Sequence, residues 1–232
     1  MAHDAAVIGF DFRGARVARG DEKRMTRTTR IGVLALQGDF REHIQAMERL
    51  GAEACAVRLP RDLEGLDGLI IPGGESTVMG KLMVAYELDQ PLREAITGGL
   101  PTWGTCAGLI LLARETDNAL VGQPLLAAMD IRVCRNAFGT QRESFEVDLA
   151  VPALGEQPAH AIFIRAPIVE SVGAGVEVLA RVEPGLFGAP GDIVAVRQGA
   201  LLGTAFHPEV TDDLCFHSYF LSMVREAVTL AR

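Results

Sequence analysis

Short apolar runs alternate with longer amphipathic segments from residue 30 to the end of the chain. Runs of strand length occur at residues 31–36, 53–57, 68–71 and 102–105. The segments between or after them have the spacing of helices, at residues 40–50, 76–86, 91–97 and 107–114. This alternation predicts βαβ units, in which helices cover a mainly parallel sheet.

The first predicted helix shows the pattern most clearly. Its apolar positions share one face: Phe40, Ile44, Met47 and Leu50. Asp39 precedes the segment and is predicted to cap its start, and Gly51 is predicted to end it.

The second half of the chain continues the alternation less regularly. Residues 125–149 are ambiguous and are interpreted as strands with loops. Further strands are predicted at residues 161–165, 176–182, 193–197 and 200–206, followed by a helix at residues 212–230. The predicted fold is therefore α/β, a three-layer sandwich with a central mainly parallel sheet.

The first 29 residues do not share this pattern. Six basic residues are interrupted by acidic ones, and no apolar core of a secretory signal is present. We expect a flexible extension at residues 1–29, followed by one domain at residues 30–232. The regular pattern begins shortly after Met25, which leads to the hypothesis that Met25 is the native start.

Composition excludes several classes of function. With 49% hydrophobic and 22% charged residues, the 232-residue chain has the profile of a globular protein. The net charge of -8 argues against nucleic acid as a partner, and the apolar runs are too short to span a membrane. The four cysteines lack paired spacing, so we expect no metal and a reducing, cytoplasmic location.

A glycine-flanked cysteine follows a short apolar run. In residues 101–112, PTWGTCAGLILL, Cys106 lies between Gly104 and Gly108, where a strand runs into a helix. A sharp strand-to-helix turn crowds the positions two before and two after its centre, which explains both glycines. This spacing favours a nucleophile elbow, in which the helix N-terminus favours the thiolate and Ala107 N–H can serve an oxyanion. A buried cysteine in a glycine-rich turn is the alternative.

A base for this nucleophile is found far along the chain. The predicted strand at residues 200–206 ends in His207, Pro208 and Glu209. Parallel strands place their carboxyl ends at one edge, so His207 can meet Cys106, with Glu209 orienting its ring. A merely solvated histidine is the alternative. The remaining histidines of the domain are interpreted as structural or surface residues: His43, His160 and His217.

A pair of glycines opens the second helix. Gly73 and Gly74 follow a buried strand and precede Glu75 and Ser76. Such a turn can bring backbone amides to a ligand, but it lacks the lysine of a P-loop and the third glycine of a dinucleotide fingerprint. A backbone oxyanion donor fits better, although a simple helix cap by Ser76 is compatible with the same residues.

Together these motifs resemble the class I glutamine amidotransferase family, from about residue 31 to the C-terminus. The narrower resemblance is to the glutaminase subunits of pyridoxal 5′-phosphate synthase, whose fold is flavodoxin-like. Four segments carry it: residues 31–40 (IGVLALQGDF), 73–76 (GGES), 135–139 (RNAFG) and 163–167 (FIRAP).

The resemblance implies a function for each motif. Cys106 would attack the side-chain amide of glutamine, His207 would move the protons with the help of Glu209, and Gly74 and Ala107 would hold the oxyanion. The positions implied to contact glutamine are Gly74, Glu75, Ser76, Arg135, Ile164 and Arg165. Arg165 can instead be structural, because an arginine at a strand end often only reaches solvent.

The resemblance also implies a partner. Ammonia would pass to a separate synthase subunit within a large heteromeric complex, and glutaminase activity would be low until docking arranges the turn at residues 73–74. No cofactor is expected, because pyridoxal phosphate would be the product of the complex. The chain departs from the family at Cys215, where a basic residue is expected, and in its N-terminal extension.

Three other functions stay open from the sequence. They are a glutaminase that serves another pathway, such as imidazole glycerol phosphate synthesis, a catalytically inactive regulatory subunit, and a cysteine peptidase with the same triad.

Overall fold

A computed structural model describes residues 28–118, 122–135, 144–183 and 192–230. Nearly all of the extension predicted for residues 1–29, including Met25, lies outside the described residues. So do residues 136–139 of the segment RNAFG.

The described part of the chain folds into strands and α-helices in the predicted alternation. The strands are β1 (Arg30–Leu34), β2 (Glu53–Val57), β3 (Gly68–Ile71), β4 (Thr102–Thr105), β5 (Ala113–Asp117), β6 (Met129–Cys134), β7 (Ser144–Leu149), β8 (Ala159–Ile164), β9 (Ile168–Val172), β10 (Glu177–Arg181), β11 (Ile193–Gln198) and β12 (Leu201–Thr204). The helices are α1 (Phe40–Arg49), α2 (Ser76–Ala85), α3 (Asp89–Thr97), α4 (Ala107–Leu112) and α5 (Cys215–Leu230), with short 3₁₀ turns at Pro60–Leu63, Pro152–Leu154 and Pro208–Val210.

Ten of these strands form one sheet, in the order β2-β1-β3-β4-β12-β11-β9-β6-β5, with β10 also paired to β11. The strands from β2 to β12 are parallel. Beyond β12 the pairs of β11, β9 and β6 are antiparallel, and β5 again runs parallel to β6. β7 and β8 form a separate antiparallel pair.

The helices cover both faces of the parallel strands. Neighbouring residues of a strand point to opposite faces. In β4, the Trp103 ring contacts His43 of α1 and Phe220 of α5, whereas a Cβ atom at Gly104 would meet Gly108 of α4 at 2.5 Å. Helices α1 and α5 therefore lie on one face and α4 lies on the other, where α2 packs against it. These layers confirm the predicted fold class.

Several predicted boundaries are wrong. Helix α4 ends at Leu112 instead of residue 114, because Ala113 turns extended and pairs with Met129 in the sheet. Helix α5 begins at Cys215 instead of residue 212, where the Asp213 carboxylate accepts a hydrogen bond from Cys215 N–H at 2.9 Å. The prediction that Asp39 caps α1 is also wrong, since its side chain makes no capping hydrogen bond.

Strands in the second half of the chain also differ from the expectation. β8 begins at Ala159, so His160 lies within a strand instead of before one. β5 and β9 were not predicted as strands, and β9, with the sequence IVESV, carries two exposed polar residues, Glu170 and Ser171. Of the described helices, none is both long and apolar enough to cross a membrane.

Close packing at α4 gives a test of the fold. A Cβ atom at Gly108 would overlap the carbonyl oxygen of Ile71, and that backbone cannot move without disturbing β3. We expect Gly108→Ala to lower the free energy of unfolding by about 1–3 kcal/mol, the usual range for overpacking a core. Chemical denaturation measures this change.

Gly98 is the matched control for this substitution. It ends α3 with ordinary helical angles, φ -70° and ψ -2°, and its nearest neighbour would lie 3.1 Å from an added Cβ. Gly98→Ala should change stability by no more than about 0.5 kcal/mol. Equal stability of the two variants would contradict the packing described here.

Candidate active site

Cys106 occupies a strained turn between β4 and α4. Its backbone angles, φ 45° and ψ -99°, fall where residues with a side chain rarely lie. A Cβ atom at Gly104 would overlap the backbone of Gly108, and one at Gly108 would overlap the carbonyl oxygen of Ile71, so both positions are crowded, as the sequence predicted. Cys106 is 7% exposed and borders a cavity, so the turn presents its side chain to that cavity.

The sheet register brings His207 to this turn. Thr105 of β4 is paired with Thr204 of β12 in parallel, and Cys106 N–H donates to the Thr204 carbonyl oxygen at 2.8 Å. Cys106 is thus one residue beyond the paired position and His207 is three residues beyond it. Both side chains border the same cavity.

His207 is held between Cys106 and Glu209. His207 Nδ1 lies 2.7 Å from Glu209 Oε1, and the residues are almost fully buried. Burial lowers the pKa of His207, but hydrogen bonds to Cys106 and Glu209 and the charges of both outweigh it and raise the pKa to about 10. Since Nδ1 is engaged by Glu209, Nε2 is the nitrogen available to Cys106. The ring can therefore give and take protons at the sulfur.

Glu209 is buried beside the imidazole. Burial raises the pKa of its carboxyl group, and the hydrogen bond and charge of His207 oppose that rise. The other oxygen, Oε2, lies 3.3 Å from His43 Nε2. His43 is fully buried and hydrogen-bonds His217, so neither is a surface residue.

The turn at Gly73 and Gly74 lies directly against these residues. A Cβ atom at Gly73 would overlap the His207 ring, and one at Gly74 would approach the Gln37 side chain at 2.5 Å. Gln37 Oε1 also accepts a hydrogen bond from Glu75 N–H at 2.7 Å, which fixes the turn after Gly74. Ala107 is the first residue of α4, so its N–H has no acceptor within the helix.

A network of side chains supports the start of α2. Arg135 donates to Glu75 Oε1 at 3.0 Å and to Gln123 Oε1 at 2.7 Å. Gln123 donates in turn to Ser76 Oγ at 3.1 Å. Glu75, and not Ser76, caps the helix, because its carboxylate accepts from Thr77 N–H and Val78 N–H.

A cavity of about 310 Å³ joins these features, a size within the range of small-molecule sites. It brings together the predicted residues Gly74, Glu75, Ser76, Cys106, Ala107, Arg135, Ile164, Arg165 and His207. Glu209 lies behind His207 and does not line it. The lining also includes Gln37, Gly38, Asp39 and Ile110, for which the sequence predicted no site function.

Asp39 is the charged residue of the cavity that sequence reasoning missed. Its carboxylate lies 3.7 Å from His207 Nδ1. Asp39 follows the carboxyl end of a parallel strand, where sites of α/β proteins lie, and this position could have indicated its function. Asp39, His207 and Glu209 place possible metal-ligand atoms within 4.8 Å of one another, but the hydrogen bond to Glu209 occupies the nitrogen that would face the ion.

A strained cysteine turn beside a buried histidine–glutamate pair, at the edge of a mainly parallel α/β sheet, is typical of hydrolases that use a cysteine nucleophile. Residues 33–226 match the model of the SNO glutamine amidotransferase family. A protein of Clavibacter sepedonicus, "Pyridoxal 5′-phosphate synthase subunit PdxT", is 57% identical over 197 residues, covering 85% of this chain and 91% of that protein. The protein of the same name from Leifsonia xyli is 56% identical over 88% of this chain and all of its own length.

A solved structure agrees with these relatives. "Crystal structure of glutamine amidotransferase" superposes with a TM-score of 0.77 at 49% identity, covering 84% of this chain and 98% of that one. The chain belongs to the SNO glutamine amidotransferase family.

The paired charges of Glu209 and His207 give a test of the site. Glu209→Gln removes the negative charge that helps to hold the proton on His207, so the pKa of His207 should fall from about 10. Cys106→Ala should lower the pKa of His207 as well, because the hydrogen bond and the charge of the Cys106 sulfur also raise it. Titration of the ¹⁵N-labelled imidazole by NMR measures both shifts.

His160 is the internal reference in these titrations. It lies in β8 and contacts Asp148 at 2.9 Å, away from the cavity. Its pKa should be the same in all three proteins. If the pKa of His207 also stays unchanged in both variants, the proposed coupling is wrong.

Proposed function

We propose that Cys106 is the nucleophile with which this glutamine amidotransferase hydrolyses L-glutamine to L-glutamate and ammonia. The protein's function is to release ammonia for pyridoxal 5′-phosphate synthesis. The observation that carries the proposal is the strained Cys106 turn beside the buried His207 and Glu209 pair.

The charges of the cavity suit glutamine. Its free α-ammonium and α-carboxylate groups need partners of opposite sign, and the lining offers the carboxylates of Asp39 and Glu75 and the guanidinium groups of Arg135 and Arg165. We assign Gly74, Glu75, Ser76, Arg135, Ile164 and Arg165 to glutamine binding. Arg165 holds a left-handed backbone, φ 44°, at the end of β8.

The reaction proceeds in two steps. The Cys106 thiolate attacks the amide carbon of glutamine, and the oxyanion is held by Gly74 N–H and Ala107 N–H. The protonated His207 gives its proton to the departing nitrogen, so ammonia leaves and a glutamyl thioester remains. Neutral His207 then takes a proton from water, which attacks the thioester and releases glutamate while the thiolate reforms.

The ammonia passes to a separate synthase subunit in a large heteromeric complex, as we propose from the names of the relatives. The two relatives described above are named as subunits of pyridoxal 5′-phosphate synthase.

All four cysteines of the chain are free thiols in the structure, which supports the reducing cytoplasm as the location of the protein.

Removal of the nucleophile tests this function directly. Cys106→Ala should reduce glutamate release from glutamine by at least about 10³-fold, since removing a catalytic nucleophile costs far more than positioning losses. Glutamate is measured with and without the synthase subunits of pyridoxal 5′-phosphate synthase and of imidazole glycerol phosphate synthase. Stimulation by the first subunit alone is expected.

Cys55→Ala, in the distant strand β2, is the matched control and should keep full activity. Undiminished release by Cys106→Ala would refute the mechanism. A wild-type protein that releases no glutamate with either synthase subunit would support an inactive regulatory subunit instead.

Arg135 provides a separate test of glutamine binding. Arg135→Gln removes the charge that holds Glu75 and faces the cavity. We expect KM for glutamine to rise about tenfold or more, which corresponds to about 1.4 kcal/mol, with a smaller change in kcat. Steady-state kinetics of the complex measures both constants.

Arg132→Gln is the control for this substitution. Arg132 lies in β6, three residues before Arg135, but its ion pairs with Asp117 and Glu170 are exposed, and such pairs contribute little. An equal rise of KM in both variants would argue against a specific function of Arg135.

A further inference from the structure

One oxygen of Glu209 lacks a hydrogen-bond partner. Oε1 binds His207, whereas Oε2 is buried and has no hydrogen-bond partner among the residues that the structure describes. A buried charge without such a partner is costly. A ring nitrogen of His43, Nε2, lies 3.3 Å from Oε2.

His43 lies in a buried chain of polar groups beneath the site. Its Nε2 is hydrogen-bonded at 3.3 Å to Thr105 Oγ1, in the strand that leads to Cys106. On the other side of the ring, Nδ1 lies 2.9 Å from His217 Nε2. Trp103 contacts both imidazole rings edge-on, which fixes their planes.

Both imidazoles are neutral near pH 7. Burial, and then the neighbouring His217 and His207, hold the pKa of His43 well below its usual range. Burial also lowers the pKa of His217 to about 4, although the charge of Asp213 opposes this and that of Arg49 adds to it. Each ring therefore carries a single N–H, and its position can be assigned from the contacts.

Two arrangements of these protons are possible. If His43 donated from Nδ1 to His217, its bare Nε2 would face the Glu209 carboxylate, and the proton on His217 Nδ1 would be buried without a partner. If His217 donates from Nε2, His43 carries its proton on Nε2, next to Glu209, and only a lone pair on His217 Nδ1 is left unpaired. Buried N–H groups without acceptors are rarer in proteins than buried acceptors without donors. The second arrangement is therefore favoured both at His217 Nδ1 and at His43 Nε2 next to Glu209.

We propose that His43 is a positioning residue of the hydrolytic site, whose Nε2–H supports the second oxygen of Glu209, and that His217 fixes the tautomer required. Nε2–H donates its hydrogen bond to Thr105 Oγ1, and the 3.3 Å contact with Glu209 Oε2 is not aligned as a hydrogen bond, so His43 acts on the carboxylate as an oriented dipole. It favours ionised Glu209, which in turn keeps His207 oriented towards Cys106. This inference rests on the function proposed above for those three residues.

Loss of the His43 Nε2–H group should shift both limbs of the pH profile of kcat, in directions that follow from the charges around Glu209. The groups that face Glu209 are His207, His43 and, with a charge that opposes ionisation, Asp39. Without His43 Nε2–H, ionised Glu209 is less stable, so it forms only at higher pH and holds the proton of His207 less firmly. The acidic limb of kcat should move to higher pH and the alkaline limb to lower pH.

His43→Leu, assayed as glutamate release by the full chain with its synthase subunit, tests the proposal. We expect kcat to fall at least about tenfold, or about 1.4 kcal/mol, with KM for glutamine nearly unchanged and a narrower pH profile. His43→Gln places an amide N–H near the former Nε2 and should recover part of kcat. A folded His43→Leu protein with the wild-type kcat and pH profile would overturn the proposal.

Phe220→Leu is the matched packing control. Phe220 contacts Trp103 from α5, as His217 does, but carries no proton. Phe220→Leu should lower the melting temperature of the protein but leave the pH profile of kcat unchanged. If Phe220→Leu narrows that profile as much as His43→Leu does, the effect of His43→Leu is due to packing alone. Cys106→Ala is assayed in the same experiment. If Cys106→Ala stays active, the proposed hydrolytic mechanism is wrong. If Cys106→Ala is inactive but His43→Leu behaves like the wild type, only the inference about His43 is refuted.

A direct observation of the tautomer covers the case in which His43→Leu does not fold. In the ¹⁵N spectrum of the wild-type protein, both His43 and His217 should carry the proton on Nε2 and none on Nδ1. A proton on His43 Nδ1 would contradict the proposal without any variant.

Discussion

The parallel pairing of β4 with β12 is the constraint on which the site depends. Its register sets Thr105 opposite Thr204, and the hydrogen bond from Cys106 N–H to Thr204 continues that ladder by one step. The strained turn at Cys106 then has a fixed place relative to His207. Glycines on both sides of Cys106 let α4 come close enough for the turn to form, so the same contacts fix the sheet, the helix and the position of the cysteine.

Burial and neighbouring charges have opposite effects on the ionisation of His207 and Glu209 beside this turn. Burial favours neutral Glu209 and neutral His207, yet their contact, together with Cys106, raises the pKa of His207 to about 10. The pair is stable in its ionised form only because each charge is compensated nearby. Neutral His43, whose ring is hydrogen-bonded to His217, adds to the compensation of the Glu209 charge on the side away from the cavity. Asp39 adds negative charge on the side of the cavity.

Much of the site could be predicted because its residues obey local rules. Glycine spacing indicates the elbow at Cys106, and a strand end followed by proline and an acid indicates His207 and Glu209. Asp39 was missed because an acid before a helix is normally a cap, and only tertiary structure turns it towards His207. His43 had a usable signal, since it falls on the apolar stripe with Phe40, Ile44 and Met47, which predicts burial.

The central claim is that Cys106 forms the covalent intermediate at the carboxyl edge of the sheet. Acid quenching of the complex during turnover of glutamine, followed by peptide mass spectrometry, locates the glutamyl thioester. The account predicts a glutamyl adduct on the peptide that contains Cys106 and none on the peptides of Cys55, Cys134 or Cys215. An adduct on any of those three cysteines, or turnover that continues with Cys106 never modified, would contradict it.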